Sequence, residues 1–130
     1  MLKINDYQPF NSVIHNGKVV TIVSIDDNGY YLSNTITCNR EKLSPISLVK
    51  ENISQNASTF FHLSSGLLHI IVDNVELIVD TNNGVCIVEN KVDKTKGGTY
   101  NGIFFLHQLQ NLICEHTGIK FFLQSNNNQK

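Results

Sequence analysis

The chain has 130 residues, 41% of them apolar and 16% charged, with 10 basic against 11 acidic residues and a formal net charge of −1. That composition belongs to a folding chain rather than a disordered one, and it carries no basic excess to hold a phosphate backbone, which disfavours nucleic acid as a partner. Cys38, Cys86 and Cys114 are odd in number and widely spaced. They disfavour a disulfide framework and a Cys-only zinc site, and read as buried or half-buried thiols in a reducing compartment. Met1 to Phe10 lack the basic-then-apolar pattern of a signal peptide, and the apolar run Leu67 to Val72 is short and broken by His69. A cytoplasmic protein with no membrane span is therefore expected.

Residues 1–46 read as a small SH3-like β unit, a partly open barrel or a curled sheet. Asn16-Gly17 is a strong hairpin signal, because both residues tolerate the positive φ of a type I′ turn. It pairs Val13 and Ile14 with Val19 and Val20. Asp26-Asp27-Asn28-Gly29 makes the next turn, followed by a strand through Tyr30, Tyr31 and Leu32 and a short one from Thr35 to Cys38. Ser44-Pro45 closes the unit. Residues 47–58 are a linker or a short helix, with Leu48, Val49 and Ile53 on one side and Ser47 as a possible N-cap.

Residues 59–123 read as a four-stranded antiparallel meander covered by one C-terminal helix. With turns at Ser65-Gly66, Asp73-Asn74 and Asn82-Asn83-Gly84, alternation puts Phe61, Leu63, Leu68, Ile70, Val72, Val75, Leu77, Val79, Cys86 and Val88 on one face. The other face mixes Phe60, Leu67, Ile71, Ile78 and Ile87 with polar residues, and partial cover by the N-terminal unit is expected. Lys91 to Gly102 reads as a mobile loop. Ile103 to Thr117 has helical spacing, with Gly118 as the C-cap. Ile119 to Leu123 can add an edge strand, and 124–130 is expected to be a disordered tail. The fold class is α+β.

Chemistry-bearing residues are few. His62 and His69 stand opposite each other across the Ser65-Gly66 turn and are weak metal candidates, since zinc sites need three or four ligands at close spacing. His107 and His116 lie two and a half helical turns apart, and Cys114 and His116 do not share a helix face, so neither pair reads as catalytic. Asp26-Asp27-Asn28-Gly29 lacks the distal ligands of a calcium loop. Tyr30, Tyr31 and Tyr100 read as core or rim packing more than as a stacking platform. The best ligand site is an anion-binding one, built from Lys94, Lys96, Gly97, Gly98, Tyr100 and Gly102 ahead of the helix N-terminus. No cofactor is implied.

Three stretches, GKVVTIVSIDDNG (17–29), ITCN followed by LSPISL (36–48) and FLHQLQNL (105–112), resemble a family of small hypothetical proteins encoded by Bacteroidota and their bacteriophages. The resemblance implies intracellular expression and carries no activity with it. The expected function is a non-catalytic binding module, a phage-type accessory protein contacting a protein partner, with a homodimer as one form. The alternative is a small-ligand binder that sequesters an anionic metabolite or nucleotide signal.

Overall fold

A computed structural model describes residues 3–48, 61–64 and 66–120, with 61–64 described by their backbone. Two antiparallel sheets flank one helix. The first sheet contains β1 (Ser12–His15), β2 (Lys18–Asp26), β3 (Gly29–Leu32), β4 (Thr37–Cys38) and β5 (Leu43–Ser44), in the order β4-β3-β2-β1-β5. Asn16 and Gly17 take φ of 52° and 79°, and the hairpin pairs Val13 with Val20 and Ile14 with Val19, the register that the turn predicts. The register shifts between Ile22 and Ser24, a bulge at Val23 that bends β2. β4 is shorter than expected because Thr35 sits at φ 66°, outside strand geometry.

The second sheet contains β6 (Phe61–Ser64), β7 (Leu67–Val72), β8 (Val75–Asp80), β9 (Val85–Asn90) and β10 (Gly97–Tyr100), in the order β10-β9-β8-β7-β6. Strand β10 corrects the expectation of a loop over Lys91 to Gly102. A Cβ at Gly97 would lie 2.5 Å from the Val88 carbonyl oxygen, so glycine is what lets this segment close onto β9. The inward residues Leu68, Ile70, Val72, Val75, Leu77, Val79, Cys86 and Val88 are all buried, as alternation requires. The side chains of Phe61 and Leu63 lie outside the described residues.

Helix α1 (Leu106–Thr117) covers that face with Leu106, Leu109, Leu112 and Ile113, and ends on Gly118 in the left-handed region at φ 76°. It starts three residues later than the spacing suggested, because Phe105 is extended and its N–H is taken by the Gln108 side chain at 3.0 Å. Ser47 forms an isolated bridge with Phe105, and Leu48 is buried in the same core. The rest of the linker, the 121–123 part of the expected edge strand and the 124–130 tail lie outside the described residues; Ile119 and Lys120 are not in a strand.

The first sheet keeps its own small core of Tyr7, Val13, Val20, Ile22, Leu32 and Leu43. Ile4, Ile14 and Val19 pack instead against the main core beneath α1. The N-terminal unit therefore docks on the helix. It leaves the outer face of the second sheet uncovered, contrary to expectation: Leu67, Ile71, Ile78 and Ile87 remain 47%, 51%, 37% and 50% exposed.

Candidate functional site

Between Ile103 and Cys114 the chain has no Asp, Glu, Lys or Arg, although it contains His107, Gln108, Gln110 and Asn111. All four of these polar side chains are buried. Asn111 Nδ2 donates to the carbonyls of Ile4 and Asp6, both at 2.9 Å, and its Oδ1 accepts from Asn11 Nδ2 at 2.9 Å. Gln110 Oε1 accepts the Ser12 N–H at 2.8 Å. Gln108 Oε1 accepts the N–H groups of Phe104 and Phe105, and its Nε2 donates to Asn5 Oδ1 and the Gly102 carbonyl. His107 Nε2 donates to the Asn5 carbonyl at 3.0 Å, and burial pushes its pKa down, so the ring is held neutral. This layer welds the N-terminal unit to the helix. It also occupies the helix N-terminus, since the Leu106 N–H goes to the Ile46 carbonyl at 2.7 Å.

The six residues read as an anion site consequently separate. Gly102 lies at the occupied N-terminal end, with its carbonyl bound by Gln108. Lys94 lies 3.8 Å from Glu89. Gly98 sits in β10, with open space where a Cβ would be. Lys96, Gly97 and Tyr100 meet at the opposite end of α1, where they line a half-open cleft of about 430 Å³ with Asn90, Thr95, Glu115 and His116. Sequence reasoning did not bring Glu115 or His116 to this place, because nothing in it paired β10 with the last turn of the helix.

Within the cleft, Tyr100 Oη and His116 Nε2 are 2.8 Å apart, with the rings edge to face. Burial pushes the tyrosine pKa up and the histidine pKa down, with Glu115 opposing the second shift. Both shifts favour the neutral forms, so the phenol donates to an unprotonated ring nitrogen. The pair offers oriented polar groups without an activated nucleophile.

On the outer face of the second sheet, His62 and His69 are opposed in the register, as the Ser65-Gly66 turn predicts. The His69 ring hydrogen-bonds Glu76. Glu76 and Glu89 stand directly opposite on β8 and β9, and Lys91 lies between them, with Nζ 2.6 Å from Glu76 and 3.6 Å from Glu89. The Lys91 hydrogen bond, and then that of His69, hold the Glu76 carboxyl below the usual glutamate range. Among the described residues no cluster of three or more His, Cys, Asp and Glu side chains is placed to hold a metal ion.

Around this polar strip lies the apolar patch. Ile78 faces Ile87 across the β8–β9 pair, and Leu67 and Ile71 flank it diagonally on β7. Among the described residues no helix is long and apolar enough to cross a membrane. No protein-family model matches the chain, no curated protein matches it, and no solved structure matches it.

Proposed function

We propose that the protein is a non-catalytic interaction module that acts by contact with a protein partner, of the phage-type accessory class its sequence resembles, in the cytoplasm of the cell that makes it. The observation that carries this reading is the outer face of the second sheet, on which Leu67, Ile71, Ile78 and Ile87 are exposed. The part of that face holding them is three strands wide and six residues long, about 285 Å² at ~4.8 Å between strands and ~3.3 Å per residue, close to the few hundred Å² at which an exposed apolar patch becomes notable. The His69–Glu76–Lys91 strip runs through this face and supplies polar groups among the apolar ones, as protein interfaces have. The order β4-β3-β2-β1-β5, which returns the fifth strand beside the first, supports an SH3-like identity for the N-terminal unit.

The test is site-specific photo-cross-linking from position 71 in the producing cell, combined with sedimentation of the purified protein. A defined cross-linked polypeptide, lost in the Ile78→Lys/Ile87→Lys variant, is the expected result. If the cross-linked species is a second copy, and the same variant turns a dimer into a monomer, the partner is the chain itself. No cross-link from this face, or a turnover abolished by alanine at His62, His69 or Cys86, overturns the reading.

The alternative, a small-ligand binder for an anionic metabolite, retains the cleft at Lys96, Gly97 and Tyr100 as its site. Its support is weaker, because the helix N-terminus points its N–H groups into Gln108 and Ile46 and the cleft contains the Glu115 carboxylate.

A further inference from the structure

Four of the eight glycines follow asparagine, at Asn16-Gly17, Asn28-Gly29, Asn83-Gly84 and Asn101-Gly102. Asparagine is chemically labile, and before glycine it carries a reaction of its own. The glycine nitrogen, having lost its proton, attacks the asparagine Cγ. The N–Cγ bond forms, the Cγ–Nδ2 bond breaks and ammonia leaves. Water then opens the resulting succinimide at either carbonyl, giving aspartate or isoaspartate. The step needs a glycine N–H outside any hydrogen bond, a side-chain amide able to swing onto it, and a main chain able to turn about the asparagine.

The fold withholds one or more of these at three of the four steps. At Asn83-Gly84 the Gly84 N–H donates to the Asp80 carbonyl at 2.8 Å, and the Asn83 amide donates to Asp80 Oδ2 at 2.8 Å. At Asn28-Gly29 the glycine pairs with Asp26 to close a two-residue turn, which spends its N–H in the ladder. Strand β4 also lies against it, since a Cβ at Gly29 would be 2.5 Å from the Cys38 carbonyl oxygen. At Asn16-Gly17 the asparagine sits in the left-handed region at φ 52°, with His15 and Lys18 paired directly on either side of the turn. A succinimidyl L-residue favours negative φ as other L-residues do, so the ring forms there only after the hairpin end opens.

Asn101-Gly102 meets all three conditions. Both residues are exposed and lie between β10 and Ile103, outside the strands and the helix. Among the described residues neither the Gly102 N–H nor the Asn101 side chain has a hydrogen-bond partner. The Asn101 backbone is not in the left-handed region, and Gly102 has open space where a Cβ would be, so the glycine can absorb the turn. We propose that Asn101-Gly102 is a self-modification site, converting to isoaspartate and aspartate in the folded protein while the other three steps are held back. The isoaspartyl product adds a carboxylate and an extra main-chain carbon between two anchored residues. Tyr100 is hydrogen-bonded to His116, and the Ile103 N–H to the Gly84 carbonyl. This site does not depend on the outer face of the second sheet.

The test incubates the full chain at mildly alkaline pH, folded and in guanidinium chloride, and follows each Asn-Gly step by peptide mapping and mass spectrometry. A protein isoaspartyl methyltransferase is the probe for isoaspartate. Asn101 should react first in the folded protein, at a rate within about threefold of its unfolded rate. Asn28 and Asn83 should react at least about tenfold more slowly folded than unfolded, because each waits for local opening. Asn101→Gln should remove most of the methyl-accepting sites that the folded protein acquires. Isoaspartate arising first at any of the other three steps, rates that guanidinium leaves unchanged at all four, or an Asn101 that reacts only when unfolded would each overturn the proposal.

Discussion

Asn11 Nδ2 donates to Asn111 Oδ1 at 2.9 Å, and both side chains are fully buried although they lie 100 positions apart in the chain. The bond joins the N-terminal unit to the middle of α1, and the other half of the Asn111 amide serves the Ile4 and Asp6 carbonyls. Asn111→Leu preserves the volume but leaves the buried Asn11 amide and the part-buried Ile4 and Asp6 carbonyls without their partner. A loss of about 2–4 kcal/mol of unfolding free energy is expected, because each buried unsatisfied group costs about 1–3 kcal/mol. Urea unfolding measures it. A variant as stable as the parent would show that the two units do not depend on this layer.

His107 makes stability depend on pH. Its folded pKa is below the ordinary 6.5, chiefly because burial disfavours the charged ring, with the Asn5 carbonyl partly opposing. Above pH 6.5 the ring is neutral in both states and contributes no pH dependence. As pH falls below 6.5 the unfolded chain takes up the proton first, so stability declines until the depressed folded pKa is reached. His116, also shifted down by burial, adds to the slope in the same direction. Melting temperatures between pH 7.5 and 5 should fall, and should fall less steeply in His107→Gln. Equal slopes would mean that His107 has the same pKa in the folded and the unfolded protein.

The hairpins were legible because their turns are written in residues that accept positive φ: Asn16 and Gly17 at one, Asp73 at another, Gly84 at a third. Once those turns are placed, alternation assigns the buried face of the second sheet, and Gly118 marks the end of the helix. Strand β10 was not legible, since two glycines and a threonine have no side-chain period and Gly-Gly ordinarily signals a loop. The polar layer on α1 was hidden for a related reason: Gln108, Gln110 and Asn111 look like a solvated face. The signal against that reading was the absence of any charged residue between Ile103 and Cys114, which an exposed helix face seldom shows. The cleft followed neither from motif nor spacing, because it exists only where β10 meets the last turn of α1.

The three thiols, all free, should differ sharply in reactivity. Cys86 is fully buried in the main core, and burial pushes its pKa up to about 12, so almost no thiolate forms near neutral pH. Cys38 and Cys114 are half-buried. Titration of the native protein with a chromogenic disulfide should modify those two and leave Cys86 until the protein is unfolded. Modification of Cys86 at the rate of the other two would mean that the second sheet opens locally from α1 without global unfolding.

Gly84 joins β8 to β9 at φ 70°, and its carbonyl accepts the Ile103 N–H at 2.8 Å. A Cβ there would come within 2.4 Å of the Phe104 ring, and the left-handed backbone would be strained for any L side chain. Phe104 is 43% exposed, so its ring can swing away, whereas the backbone cannot change without releasing Ile103. Gly84→Ala should therefore cost about 1–2 kcal/mol, mostly from the backbone conformation. Adding Phe104→Ala removes the clash and leaves the strain. The double variant should recover less than half of the loss, measured by urea unfolding against Phe104→Ala alone. Full recovery would place the whole cost in the ring contact, and the turn itself would then tolerate a side chain.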